Sequence, residues 1–282
     1  MNIFVFRGSL PAGLALLCMS MAHGQPAPSQ LDLIDVADDL YVIHNVAAPG
    51  NVTVLVTDEG VLLVDDKFER DFEGMMRIVR SITDQPVRYI VNTHHHGDHT
   101  GSNAMFASTG AEIVASERAR AKMVEAGMPG LPVFTMDDRA RIHIGGKVVD
   151  LMYLGRGHTD GDIVIYLPQY RLLVAGDLFT YGSATPQLID YAGGGSAKDW
   201  TDTLDEILKL DFDTVVPGHG DVTNKAEMRK FRDSTLALRT RAQELIRGGS
   251  SREQLEAALR REFGWEDLHL ARGLDGLFGE LR

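Results

Sequence analysis

Thr93-His94-His95-His96-Gly97-Asp98-His99-Thr100-Gly101 is the stretch on which the reading of this chain turns. Four histidines and a carboxylate fall within six residues. Imidazole and carboxylate are ligands that borderline divalent metals such as zinc prefer. Val87-Arg88-Tyr89-Ile90-Val91 reads as a buried strand entering the motif. If His94 and His96 leave the end of that strand, its period of two sends both the same way and His95 the other. Asp98 and His99 then sit just beyond, where a helix begins. One short turn could so serve two metals about 3.5–4 Å apart, the separation usual in two-metal hydrolytic sites. A bare run of histidines can also be a surface cluster. Here the preceding strand, the flanking Gly97 and Gly101, and further His and Asp residues downstream favour a built metal site.

Three later segments repeat the pattern of strand, tight turn and metal-binding side chain. In Gly155-Arg156-Gly157-His158-Thr159-Asp160-Gly161-Asp162 one histidine stands amid three glycines, which let the backbone crowd a ligand. A lone histidine is more often structural, so this segment counts only beside the others. Leu172-Leu173-Val174-Ala175-Gly176-Asp177 is an apolar strand ending in a carboxylate, and a charge there needs a partner. Phe212 to Gly220 ends in Pro217-Gly218-His219-Gly220, with a histidine projecting from the turn.

Taken with these pieces, His94-x-His96-x-Asp98-His99 resembles the signature of the metallo-β-lactamase-fold superfamily, over about residues 38–222. The resemblance implies an α/β fold, an αββα sandwich of two facing sheets with outer helices and metals on loops at one edge. It implies that His94, His96 and His158 hold a first metal, that Asp98, His99 and His219 hold a second, and that Asp177 bridges them. The cofactors it implies are two zinc ions per chain, with iron or manganese as alternatives. A bridging water is then the expected nucleophile, since a metal can lower its pKa from about 15.7 to near 7. Asp98 could also orient that water or shuttle a proton. Tyr181 is a further catalytic candidate, as a donor to a substrate carbonyl, although a surface tyrosine reads equally well. Asp65, ending an inner strand, resembles a carboxylate that fixes a ligand histidine. Thiol-using β-lactamases of this fold carry a cysteine at the place of Asp177. This chain does not, and its ligand set resembles the glyoxalase II and lactonase branches.

The rest of the sequence fits one large domain. The chain has 282 residues, 44% hydrophobic and 24% charged, an ordinary globular composition. A net charge of −12 makes nucleic acid or an anionic membrane surface an unsuitable partner. Residues 1–24 read as a secretory signal peptide, with Arg7 ahead of an apolar run from Leu10 to Met21 and small residues at Ala22 and Gly24. An uncleaved anchor is the alternative. Cys18, the single cysteine, lies in that run, so the mature protein would have no thiol. Residues 25–37 are expected as a flexible lead-in, 38–222 as the catalytic domain and 223–282 as a helical extension packed on it. Helices are expected at Glu69 to about Thr83, Ser116 to about Ala126, Ala197 to about Leu210, and through most of the tail. The tail reads as a packing appendage or oligomer contact.

The function these features support is an exported, periplasmic or secreted dinuclear zinc hydrolase of a small amide or ester substrate. A β-lactam or lactone ring is the foremost candidate. A glyoxalase II-like thioester hydrolase and an iron-dependent sulfur dioxygenase are the alternatives. Against a β-lactam stands the lack of a lysine near Asp177, for which Ser183 is a weak substitute. The substrate pocket is expected to be shaped by loops 127–135 and 178–195, with Tyr191 and Gly193-Gly194-Gly195 as a mobile wall. The expected partner is a small-molecule substrate, and the oligomeric state is left open.

Overall fold

In Val61-Leu62-Leu63-Val64 every side chain is buried, yet neighbours enter different cores. Val61 and Leu63 pack with Phe72, Met75 and Val79, whereas Leu62 and Val64 pack with Ile165, Leu172 and Val174. Alternation of this kind is what a strand shows when both its faces are covered. The computed structural model describes residues 30–45, 50–182 and 186–282. The expected leader and Ser183 lie outside the described residues.

The first half of the chain builds one sheet. Its strands are β1 (Asp32–Ala37), β2 (Leu40–His44), β3 (Val52–Thr57), β4 (Gly60–Val64), β5 (Val87–Val91), β6 (Glu112–Ser116) and β7 (Phe134–Met136), and they lie side by side in chain order. β1 to β4 pair antiparallel, and β4 to β7 pair parallel. Helices α1 (Phe72–Ile82), α2 (Gly97–Thr100), α3 (Asn103–Ser108) and α4 (Glu117–Glu125) belong to this half. The second sheet holds β8 (Arg139–Ile144), β9 (Lys147–Met152), β10 (Val164–Leu167), β11 (Leu172–Val174), β12 (Thr214–Val216) and β13 (Thr223–Asn224), in the order β13-β12-β11-β10-β9-β8. Within it only β11 and β12 run parallel.

The two sheets share a core that includes Leu62, Val64 and Val91 from one and Val149, Ile165 and Val174 from the other. Helices α5 (Ala197–Ile207), α6 (Lys225–Arg247), α7 (Arg252–Phe263) and α8 (Asp267–Glu280) cover the outer face of the second sheet. There Trp200, Leu204, Met228 and Leu274 pack with Leu173 and Val215. The αββα sandwich is therefore the fold. Ser116 caps α4 and Ser196 caps α5 by accepting backbone N–H groups, as the side-chain chemistry of these residues favours.

One boundary needs correction. Residues 32–37, expected in a flexible lead-in, form the edge strand β1, paired with β2. Its side chains are exposed or half-buried, so backbone pairing rather than burial holds it. Among the described residues no helix is long and apolar enough to cross a membrane.

Candidate metal centre

The ligand turns all leave strand ends on one edge of the sandwich. β5 ends at Val91 and runs into the histidine turn, β11 runs into Asp177, and β12 runs into His219. Asp65 follows β4 with a left-handed backbone, φ 65°. That turn aims its carboxylate at the neighbouring strand end. Asp65 Oδ1 accepts from Thr93 N at 2.7 Å, and Oδ2 accepts from Thr93 Oγ1 at 2.8 Å and from His99 Nδ1 at 2.8 Å. One buried carboxylate so fixes both ends of the histidine turn. Asn92 adds a bond from its Nδ2 to His99 O at 3.0 Å.

Of the three groups of donor atoms that result among the described residues, two adjoin at Asp177. His94, His96, His158 and Asp177 form one, and Asp98, His99 and His219 form the other, each with ligand atoms within 4.8 Å of one another. His96 Nδ1 lies 3.1 Å from His94 Nε2 and 2.9 Å from His158 Nε2. The second group sets His99 Nε2 3.4 Å from His219 Nε2, with Asp98 Oδ2 3.6 Å and 3.4 Å from these nitrogens. Asp177 reaches both groups. Its Oδ2 lies 3.5 Å from His158 Nε2 and 3.2 Å from His219 Nε2, and its Oδ1 lies 3.3 Å from His99 Nε2.

The outer nitrogens decide what these contacts mean. His158 Nδ1 donates to Leu188 O at 2.6 Å, His96 Nε2 to Asp190 Oδ2 at 2.7 Å, and His94 Nδ1 to Thr93 Oγ1 at 3.0 Å. A neutral imidazole has one N–H, so the nitrogens that face each other in the first group carry lone pairs. Three such lone pairs converge with nothing to share between them. A cation resolves the conflict. A tetrahedral ion with bonds of about 2.1 Å separates its ligand atoms by about 3.4 Å, close to the spacing seen. The buried Asp177 Oδ1 makes no hydrogen bond among the described residues, a second sign that the donor set fits a metal. His219 differs from the other rings: its Nδ1 faces the N–H of Gly50 at 3.2 Å.

Electrostatics agree. Burial pushes the pKa of His94 well below the ordinary histidine value and that of His158 down to about 4, so both keep lone pairs at neutral pH. Burial also opposes a charge on His99, but Asp177, Asp98 and Asp65 outweigh it and raise its pKa well above normal. Asp177 is desolvated, yet His219 and His99 hold it ionised. The second group thus demands positive charge, which a divalent ion would supply.

The neighbours of the motif are partly as expected. His95 belongs to neither group and sits beside His96 and Asp190 instead. Below the turn lies a residue the sequence did not single out. Lys67 is fully buried, donates to Gly50 O, and has its pKa pushed down to about 8 by burial.

A cavity of about 430 Å³ opens on both groups, lined among others by His96, Asp98, Asp177 and His219. Tyr181 is not among its lining residues. Its backbone N–H is tied to His219 O at 2.9 Å, and its ring packs beside Phe179 in the core under α6. Thr180, one residue earlier, lines the cavity instead, and its buried hydroxyl has no hydrogen-bond partner among the described residues. Loop 127–135 contributes nothing to the wall, because Gly130 is packed against Asn103 and Ala104. Tyr191 is no mobile wall either: its hydroxyl donates to Glu280 Oε2 at 2.7 Å. Gly193 and Gly195 lie where a side chain would strike Asp190 and His158 O, so the loop wraps tightly behind the first group. A further part of the wall comes from α8, packed against this loop, through Leu268, His269 and Arg272. Asp190 and Arg272 were not identified from sequence. Asp190 had a signal: a lone carboxylate inside Leu188-Ile189-Asp190-Tyr191, next to a glycine run.

Comparison with known proteins gives one consistent result. The sequence model described as Metallo-beta-lactamase superfamily matches residues 46–219. A metallo-beta-lactamase type 2 of Bacillus sp. (strain 170) is 27% identical over 193 residues, covering 67% of this chain and 74% of the relative. Another, from Elizabethkingia meningoseptica, is 25% identical over 209 residues, covering 71% and 82%. Among solved structures, a metallo-beta-lactamase from Pontibacter korlensis superposes with a TM-score of 0.65 at 22% identity, covering 72% of this chain and 99% of that one. The DIM-1 metallo-beta-lactamase gives the same TM-score at 19% identity, covering 74% and 98%.

Proposed function

Because this chain belongs to the metallo-beta-lactamase superfamily, we propose that it is a dinuclear zinc hydrolase opening a small cyclic amide or ester, with a β-lactam or lactone ring as the substrate class. Metal-dependent hydrolysis follows from the family. The zinc pair, the ring substrate and export are the finer part of the reading. Export rests on the apolar segment Leu10 to Met21 behind Arg7.

The observation that carries the proposal is the gathering of imidazole and carboxylate donors at two adjacent points that share Asp177. His94, His96 and His158 would hold one ion; Asp98, His99 and His219 the other; Asp177 both. Bound there, the ions would activate water and polarise the substrate carbonyl. The chain's own residues do the rest. Asp65, Thr93, Asp190 and Leu188 O fix the ligand rings so that one nitrogen of each faces inward. Asp98 stands on the cavity wall with its side chain 20% exposed, where it can take the proton of the attacking water and return it to the leaving atom. Phe68, Leu188 and Leu268 present apolar surface that excludes bulk water from the reacting carbonyl. Thr180 replaces Tyr181 as the hydroxyl able to donate to substrate.

Elemental analysis of the purified protein, followed on the same sample by hydrolysis of a β-lactam, a lactone and a thioester, tests this. Two zincs per chain with turnover of the β-lactam or lactone is the expected result. Turnover of the thioester alone would move the chain to the glyoxalase II-like class. One iron without hydrolysis would sink the proposal in favour of the oxygenase.

A further inference from the structure

We propose that Arg272, carried on the C-terminal helix α8, anchors a carboxylate of the substrate, which makes the C-terminal extension the specificity element of the site. This rests on the hydrolytic reading above. Among the described residues that line the cavity, Arg272 is the lone lysine or arginine. His269, beside it, has its pKa lowered by burial and is neutral near pH 7. Beside the divalent ions of the proposed site, Arg272 is the side-chain cation placed to select a carboxylate in a chain of net charge −12. A guanidinium is the side chain best shaped for a planar carboxylate.

Its position suits the role. Arg272 Nη1 lies 3.2 Å from His96 Nε2, and the other ring nitrogen of His96 faces the first ligand group. A carboxylate on Arg272 would therefore sit one imidazole away from the reacting centre. Both His96 Nε2 and Arg272 are donors directed at Asp190, but they use it unequally. His96 approaches it at 2.7 Å, Arg272 only at 3.9 Å and through one nitrogen. The guanidinium side chain is 41% exposed and keeps donors for a ligand. Leu268, His269 and Arg272 share one helix face by their spacing of three and four, so apolar contact and charge come from a single surface.

The helix itself is held close. Side chains at Gly273 and Gly276 would strike Trp265 and the ring of Tyr191. Glycine weakens a helix interior relative to alanine, a concession that permits the near approach. Glu280 then accepts from Tyr191 Oη at 2.7 Å and from Ser196 Oγ at 2.5 Å, locking α8 to the loop behind the first ligand group. A clamp of this kind is what an anchoring residue requires and what a mere appendage does not.

The test compares benzylpenicillin with its methyl ester on metal-loaded wild type, Arg272→Gln and Arg272→Lys. The expected result is a fall of about 10- to 100-fold in the acid-to-ester ratio of kcat/KM in Arg272→Gln, carried by KM, with Arg272→Lys in between. Equal losses for acid and ester would overturn the proposal, because Arg272 would then act only by holding Asp190 and His96. An unchanged ratio would overturn it as well. If wild type turns over neither compound, the β-lactam reading falls separately. The same samples then give binding by calorimetry, where the anchor predicts a like drop in the acid-to-ester affinity ratio. Absence of any binding of the acid would overturn it.

Discussion

The two ligand groups share Asp177 but differ in almost everything else. His94 and His158 are fully buried, and the first group is built from three imidazoles whose protons are committed to Thr93, Asp190 and Leu188 O. In the second group the side chains of Asp98 and His219 are 20% and 19% exposed and line the cavity. It carries an extra carboxylate and draws positive charge strongly enough to raise the pKa of His99. On the reading proposed above, the more deeply buried first group would hold an ion by fixed geometry, and the second, with its additional carboxylate, would hold one by charge nearer to solvent and substrate.

Asp177→Asn would break the comparison at its root. One carboxylate reaches both groups, so its loss leaves each with fewer anionic oxygens and the two ions unscreened from one another. Activity should fall well beyond the roughly 10–100-fold that loss of an outer hydrogen-bond partner costs. Metal content should drop from two per chain to one or less. Retention of two ions with near wild-type turnover would mean that Asp177 is no bridge.

A finer separation comes from the residues behind the rings. Asp65 fixes His99 directly and His94 through Thr93, so it supports both groups; Asp190 bonds the His96 ring alone. Asp65→Asn should weaken both metals in chelator competition, by up to about 100-fold, and Asp190→Asn the first alone, by about 10-fold. Equal effects of the two substitutions on both metals would show that the groups do not act separately.

How much of this was legible follows from distance along the chain. The histidine turn packs its donors into six residues at a strand end, and two further ligands close strands, so local geometry already pointed them one way. Asp65 was legible because a carboxylate closing an apolar strand must be partnered. Tyr181 was misread in favour of its neighbour Thr180 because an irregular loop has no period from which to tell which side chain faces inward. The strand β1 was missed since its exposed residues leave little apolar alternation. Arg272 was out of reach for another reason. The spacing of Leu270, Leu274 and Leu277 shows that α8 buries a face, but not which part of a distant loop that face meets. The relatives are called β-lactamases, but at 25–27% identity that name does not by itself carry over to the substrate of this chain. The ligand set alone did not name the substrate either.

The turns that carry His158 and His219 sharpen the contrast in a last way. Asn51 braces the His219 turn, donating to Pro217 O at 2.9 Å and to Gly220 O at 2.8 Å, and an amide does not titrate. Asp162 braces the His158 turn, accepting from Thr159 N at 2.8 Å and Thr159 Oγ1 at 2.5 Å. Burial raises its pKa from 3.8 to about 7, although the Thr159 bonds oppose the rise. The folded chain therefore holds this proton more tightly than the unfolded one. Between about pH 4 and pH 7 the native state binds more protons, so the contribution of Asp162 to stability declines as pH rises through that window. Asp162→Asn removes the decline. The difference in unfolding free energy between variant and wild type, measured in urea on metal-free protein at pH 4.5, 6 and 7.5, should shift in favour of the variant with rising pH, by about 3 kcal/mol. Asn51→Ala should instead cost the same at each pH. A flat difference for Asp162→Asn would mean that this carboxylate is ionised in the native fold throughout, and that the first group rests on a support as pH-independent as the second.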